Sequence, residues 1–213
     1  MTEPGDSVAG SGRRPLCPRC GNPLARCLCA SLGDVVENRV EVLLLQHPLE
    51  QSQAKGTAKL LAMSLRHCRL MVGEQFGPSE LHAALHAPAR DGTAACPVLL
   101  YPADAAAPAF DCGSWPAARL RLVVIDGTWR KSRKMLALNP GLRDLPRLAL
   151  LDPPASRYAL RRAEKAEQRS TLEATLLALE ALEGDGRRYA DVWTAMDRLM
   201  ALLAAQRPAA ATG

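Results

Sequence analysis

The sequence predicts an α/β fold built on a mostly parallel sheet, and three observations carry that expectation. Leu122-Val123-Val124-Ile125 is a run of four aliphatic residues that ends in Asp126-Gly127. A strand apolar on both faces belongs in a parallel sheet covered by helices on either side. Strand-like and helix-like segments alternate from residue 40 to residue 205, the order that produces βαβ layers. The stretch near 170 opens with the capping box Ser170-x-x-Glu173 and continues with Leu172, Leu176, Leu179 and Leu182 at helical spacing.

Residues 1–15 are rich in Gly, Ser and Pro and lack an apolar stretch. They are expected to be disordered, and to be neither a secretory signal nor a membrane anchor, so a cytoplasmic protein is expected. Residues 16–34 contain Cys17-Pro18-Arg19-Cys20-Gly21 and Cys27-Leu28-Cys29. Cys-x-x-Cys-Gly makes a tight turn that aims two thiolates at one centre, and a second close pair completes a tetrahedron. Zinc is the default occupant of four thiolates, with an iron-sulfur cluster as the alternative. Either ion fills its coordination sphere and holds the segment together without doing chemistry. Seven cysteines, an odd number, argue against a disulfide framework. Cys68, Cys96 and Cys112 lie far apart and read as core or loop residues.

Residues 35–206 form the main domain in this reading. A strand at 40–45 is followed by a Leu-rich helix at 54–67, a short strand near 70–72 and a short helix near 79–86. Ala- and Pro-rich loops at 87–97 and 102–118 flank a strand near 97–101. Strands at 120–125 and 148–151 enclose a helix at 128–138 that Thr128 can cap. Helices at 170–183 and 187–205 close the domain, and residues 207–213 are expected to be a disordered tail.

A chain of 213 residues with 48% hydrophobic content is long enough for one substantial core and a small appendage. No apolar run approaches the roughly 20 residues that span a bilayer. The formal charge is only +5, but residues 119–169 carry 13 Lys and Arg against 5 Asp and Glu. The basic excess therefore surrounds Asp126 and the segments after it, as a polyanionic substrate requires. Solvated helix faces are the alternative reading of those charges.

Ligands of parallel sheets bind beyond the carboxyl ends of the strands, where Asp126 stands. Asp126 reads either as a general base or cofactor-orienting group, or as a helix N-cap. Gly127 allows close backbone approach. Trp129 is either a core indole in the first turn of a helix or a platform on which a base stacks. His47 ends an apolar strand before Pro48 and either contacts RNA or fixes its loop. Ser170 and Thr171 can cap the helix and also offer amides and hydroxyls to a carboxylate, which the helix dipole favours. Arg157, Tyr158, Arg161, Arg162 and Lys165 make a basic stripe suited to phosphates, or to one carboxylate clamp.

Asp126-Gly127-Thr128-Trp129 resembles the signature of the DTW-domain family, and further blocks agree in the family's order. Gln46-His47-Pro48-Leu49-Glu50 leads into Lys55-Gly56-Thr57, Leu99-Leu100-Tyr101-Pro102 lies mid-chain, and Ser156-Arg157-Tyr158-Ala159-Leu160-Arg161 precedes Ser170-Thr171-Leu172-Glu173-Ala174. The blocks cover residues 17–183, far more than one tetrapeptide. Many members carry an Arg and an Asn around the position of Lys55-Gly56-Thr57, which is a departure here. Bacterial members resemble this chain in carrying an N-terminal cysteine cluster, here Cys17, Cys20, Cys27 and Cys29.

The resemblance implies an S-adenosylmethionine-dependent aminocarboxypropyltransferase that modifies N3 of a uridine in the variable loop of tRNA and releases methylthioadenosine. It implies a SPOUT-like fold whose C-terminal part threads a trefoil knot. By resemblance Leu100, Tyr101 and Pro102 belong to the adenosine pocket; with the motif residues the cofactor candidates are completed by Asp126, Gly127, Thr128, Tyr158, Ser170, Thr171 and Leu172, and Asp126 is chosen as the base. The resemblance adds Lys55 and Thr57 to the RNA candidates read from the residues themselves, which are His47, Trp129, Arg130, Arg133, Arg157, Arg161, Arg162 and Lys165. Two rival functions are a SPOUT-type methyltransferase using the same cofactor in the opposite orientation, and a non-catalytic zinc-ribbon RNA-binding module. Monomer and homodimer both remain open.

Overall fold

The computed structural model describes residues 15–51, 53, 57–103, 110–157 and 169–206. The chain divides into two compact units between Ala30 and Ser31.

The first unit is a looped segment closed by its own backbone. Leu16 bridges Pro23 in antiparallel fashion, the Cys17 amide donates to the Asn22 carbonyl at 2.7 Å, and the Gly21 amide donates to the Cys17 carbonyl at 2.8 Å. Gly21 takes a φ of 67° to close this turn, a left-handed conformation that costs glycine little. A 3-10 turn over Leu24–Arg26 then carries the chain to the second cysteine pair.

The second unit is a mixed α/β layer structure around five parallel strands. These are β1 (Glu41–Gln46), β2 (Cys68–Val72), β3 (Cys96–Leu100), β4 (Leu120–Asp126) and β5 (Arg147–Leu148), in the spatial order β2-β1-β4-β3-β5. The helices are α1 (Thr57–Ser64), α2 (Pro78–His86), α3 (Trp129–Leu138), α4 (Pro140–Arg143), α5 (Thr171–Glu183) and α6 (Ala190–Ala205). Central β1 and β4 bury consecutive aliphatic residues because both faces are covered. Leu43, Leu45, Leu99 and Val123 pack with Met71, Leu81, Leu85, Met135 and Leu142 on the α2, α3 and α4 side. Strand alternation turns Val42, Leu44, Leu122 and Val124 the other way, toward α1, α5 and α6.

Polar ties set the helix ends. Arg121 is 6% exposed and donates to the carbonyls of Ala84, Leu85 and Ala87 at the C-terminus of α2 while pairing with Glu41. A buried guanidinium is tolerated only with such saturation. The predicted capping box is present: the Ser170 hydroxyl accepts from the Glu173 amide and the Glu173 carboxylate accepts from the Ser170 amide. Glu173, 1% exposed, also accepts from the Ser156 hydroxyl and the Arg157 amide, fastening the incoming chain to α5.

Three boundaries and one element differ from the sequence expectation. The first helix stops at Ser64 because Leu65 bridges Val36 beside the sheet. The strand expected at 148–151 is only Arg147–Leu148. Ala149, Leu150 and Leu151 leave the sheet to border a cavity, and Asp152 follows with φ 41°. The last helix starts at Ala190, after Gly184 ends α5 in a left-handed conformation and a turn intervenes. Short α4 was absent from the sequence expectation altogether. The passage from β5 to α5, where a C-terminal knot would form, includes residues 158–168, which lie outside the described residues.

Candidate active site and metal centre

Parallel pairing sets Gln46 opposite Asp126 at the carboxyl ends of β1 and β4. Asp126 is 9% exposed, and its carboxylate is held from two sides. Gln46 Nε2 donates to Oδ2 at 2.8 Å and Thr171 Oγ1 donates to Oδ1 at 2.6 Å. The His47 amide donates to the Asp126 carbonyl at 3.0 Å. The cap of α3 is Thr128, whose hydroxyl accepts from the Lys131 amide. Asp126 therefore does not cap α3; it links β1, β4 and the first turn of α5.

Beside this link is a cavity of about 600 Å³, within the range that holds small-molecule cofactors. Leu100, Tyr101 and Pro102 form one wall, Gly127 and Trp129 another, and Ser170 and Thr171 a third; Leu148 through Pro153 complete the rim. Six of the ten residues expected at the cofactor are brought together here. Asp126 is not on the wall; its partner Thr171 is. Thr128 is exposed outside the cavity and Leu172, in the first turn of α5, is fully buried. Tyr158 lies outside the described residues.

The walls are mostly apolar, with polar groups at the end where α5 begins. The first amides of a helix have no intrahelical partners, and the dipole there favours a carboxylate. Gly127 is closely packed: an added Cβ would sit 3.2 Å from Lys131 Cβ, tighter than an ordinary contact.

Trp129 is 49% exposed at the cavity rim rather than in the core. Its ring meets Tyr101 edge-on at 5.7 Å, and the Arg147 guanidinium lies 5.0 Å from the other end of that ladder, over the Tyr101 ring. Arg130 and Arg133 are exposed beside it and meet no acidic group among the described residues. Lys131 and Lys134 are paired with Glu50 at 2.7 Å and Glu74 at 2.8 Å. Arg130, in the first turn of α3, opposes the helix dipole.

His47 is 5% exposed and both ring nitrogens are engaged. Nδ1 accepts from the Leu49 amide at 3.2 Å, so Nε2 carries the proton and donates to Glu74 at 2.9 Å. Lys134 and His47 hold the Glu74 carboxyl below its ordinary value. Of its two readings, the geometry is that of a loop-fixing histidine. Thr57 is buried at the start of α1. Arg157 is exposed, stacked over Trp193 at 5.0 Å and 3.6 Å from Asp197. Lys55, Arg161, Arg162 and Lys165 lie outside the described residues. Sequence reasoning missed Gln46, Glu74 and Arg147; only Gln46 left a signal, as the polar end of an aliphatic strand.

In the first unit, the sulfurs of Cys17, Cys20, Cys27 and Cys29 all lie within 4.8 Å of one another. Cys17 and Cys29 are 3.7 Å apart and Cys20 and Cys27 3.8 Å. A tetrahedron with metal-sulfur bonds of about 2.3 Å has edges of about 3.8 Å. The amides of Cys20 and Arg19 pull the Cys17 thiol down to about 6, whereas desolvation and the neighbouring sulfurs push Cys29 up to about 12. Four such thiols ionise together only around a cation, so the donor set fits a metal ion.

A model of the DTW domain matches residues 14–206. The chain is 30% identical over 182 residues to tRNA-uridine aminocarboxypropyltransferase 2 of Drosophila melanogaster, covering 84% of this chain and 71% of that protein. It is 30% identical over 197 residues to the Mus musculus protein of the same name, covering 84% and 63%. It is 29% identical over 140 residues to tRNA-uridine aminocarboxypropyltransferase A of Arabidopsis thaliana, covering 58% and 51%. No solved structure matches the chain.

Proposed function

The chain belongs to the DTW-domain family, and from that premise we propose that it is a tRNA-uridine aminocarboxypropyltransferase using S-adenosylmethionine. The single observation that carries the reading is the cavity beyond β3, β4 and β5, where the family motif, an apolar wall and the N-terminus of α5 converge.

When bound, adenosylmethionine supplies a sulfonium-activated γ-carbon. Uracil N3 loses its proton and forms the N–C bond; the C–S bond breaks with its electron pair going to sulfur, giving methylthioadenosine. Leu100, Tyr101 and Pro102 hold the adenosine, and Ser170 and Thr171 meet the carboxylate at the positive end of α5. Trp129 stacks on the uracil and fixes its plane in line with the leaving sulfur. The proton passes to Thr171 Oγ1 as that hydroxyl gives its own to Asp126. General base catalysis of this kind contributes about 10²- to 10⁴-fold. Gln46 holds Asp126 in register for it.

Arg130, Arg133 and Arg157 contact RNA phosphates, as do Arg161, Arg162 and Lys165. Zinc at the four cysteines holds the N-terminal unit. The same reading includes a SPOUT-like C-terminal knot, supported by the wholly parallel sheet. It also includes the cytoplasm as the place of reaction, and N3 of a variable-loop uridine as the target.

Incubating the protein with unmodified tRNA and adenosylmethionine labelled in the methyl or the carboxyl group tests the assignment. Carboxyl label should enter the RNA. Methyl label alone would mean a methyltransferase, and no label in either incubation would mean a binding module.

A further inference from the structure

A second cavity, of about 540 Å³, lies one face further round α5. Ser170, Thr171 and Ala174 face the first cavity, whereas Glu173, Leu177 and Glu180 face the second. Arg169 borders both, so the two are neighbours. Arg157, Arg187 and Trp193 also line the second.

Its chemistry is that of a nucleotide site. Trp193 Nε1 donates to Glu180 at 2.7 Å, which fixes the indole across α5 and α6. The Arg157 guanidinium lies 5.0 Å from that ring. A fixed aromatic face beside a guanidinium is how proteins hold an unstacked base and its phosphate. Arg187 is exposed and meets no acidic group among the described residues. Arg157 reaches Asp197 only at 3.6 Å, with both side chains more than half exposed, a screened contact that a phosphate can replace. The two acids on the wall are committed elsewhere, Glu173 to the capping box and Glu180 to the indole.

We propose that this cavity binds a nucleotide of the tRNA that flanks the modified uridine, with its phosphate on Arg157 and Arg187 and its base against Trp193. The proposal rests on the reading of the chain as a tRNA-uridine transferase. It would make the face of α5 and α6 a positioning surface that presents the target uridine to the first cavity.

The test uses the full chain with Arg187→Glu, Arg187→Lys and Trp193→Ala, measuring tRNA dissociation constants across salt concentrations. Adenosylmethionine binding serves as the check that each variant is folded. Arg187→Glu should weaken tRNA binding about tenfold and lower the salt slope by about one, while Arg187→Lys retains both. Trp193→Ala should weaken binding about tenfold without changing the slope. If the wild type modifies tRNA but Arg187→Glu binds it as tightly and with the same slope, the second site is wrong and the cavity serves another ligand, such as an acidic protein. If the wild type does not modify tRNA at all, the parent reading fails instead.

Discussion

Thr171 Oγ1 donates to Asp126 Oδ1 at 2.6 Å, and of the two only Thr171 faces the cavity. The motif acid is therefore reached from the cavity through a hydroxyl on α5. Asp126→Asn should lower kcat by about 10²- to 10⁴-fold, with adenosylmethionine still bound. The deficit should shrink as pH is raised, because N3 then ionises without help; a deficit constant with pH would assign Asp126 to structure alone. Thr171→Val should share the defect and Thr171→Ser should largely escape it.

Trp129 stands half exposed on the rim, edge-on to Tyr101. Base-aromatic stacking is worth about 1–3 kcal/mol, so Trp129→Ala should raise KM for tRNA about 10- to 100-fold. Trp129→Phe should recover part of that loss. Steady-state kinetics at saturating adenosylmethionine measure both.

On the proposed function Arg130 and Arg133 contact RNA phosphates, and Arg130 does so from the first turn of α3, where its charge opposes the helix dipole. Neutralising both should reduce the slope of log Kd against log salt by about two. Removing the first-turn charge of Arg130 should also leave the fold no weaker, and up to about 1 kcal/mol more stable, since it opposes the α3 dipole. A thermal melt alongside the salt titration reads both signs.

Ser170 and Glu173 fasten α5 and the chain before it. Ser170→Ala should cost about 1 kcal/mol in urea unfolding. Glu173→Ala should cost about 3 kcal/mol, because it strands the buried Ser170 amide and the half-buried donors of Ser156 and Arg157.

Chelation or Cys17→Ser should release one zinc ion per chain and unfold the N-terminal unit, seen as loss of protection of its amides from exchange. Four thiolates lose most of their affinity when one is removed. Retention of the ion by Cys17→Ser would remove that sulfur from the ligand set.

The central sheet was legible because its signal is local: four aliphatics and a polar stop mark both β1 and β4. The capping box likewise announced α5. The reading overran at Ala149-Leu150-Leu151 because residues lining an apolar cavity look like residues buried in a strand. Four-residue α4 is too short to show a period. The site was legible as a set of motif blocks but not as a geometry. That Gln46 grips Asp126, and that Thr171 intervenes before the cavity, depend on parallel register between strands 80 residues apart and on where α5 docks.

The most direct measurement is the small-molecule product formed when the protein turns over adenosylmethionine with unmodified tRNA. Attack at the γ-carbon predicts methylthioadenosine in amounts equal to the modified uridine. Adenosylhomocysteine in its place would mean that the methyl group faces the RNA, and would contradict the account.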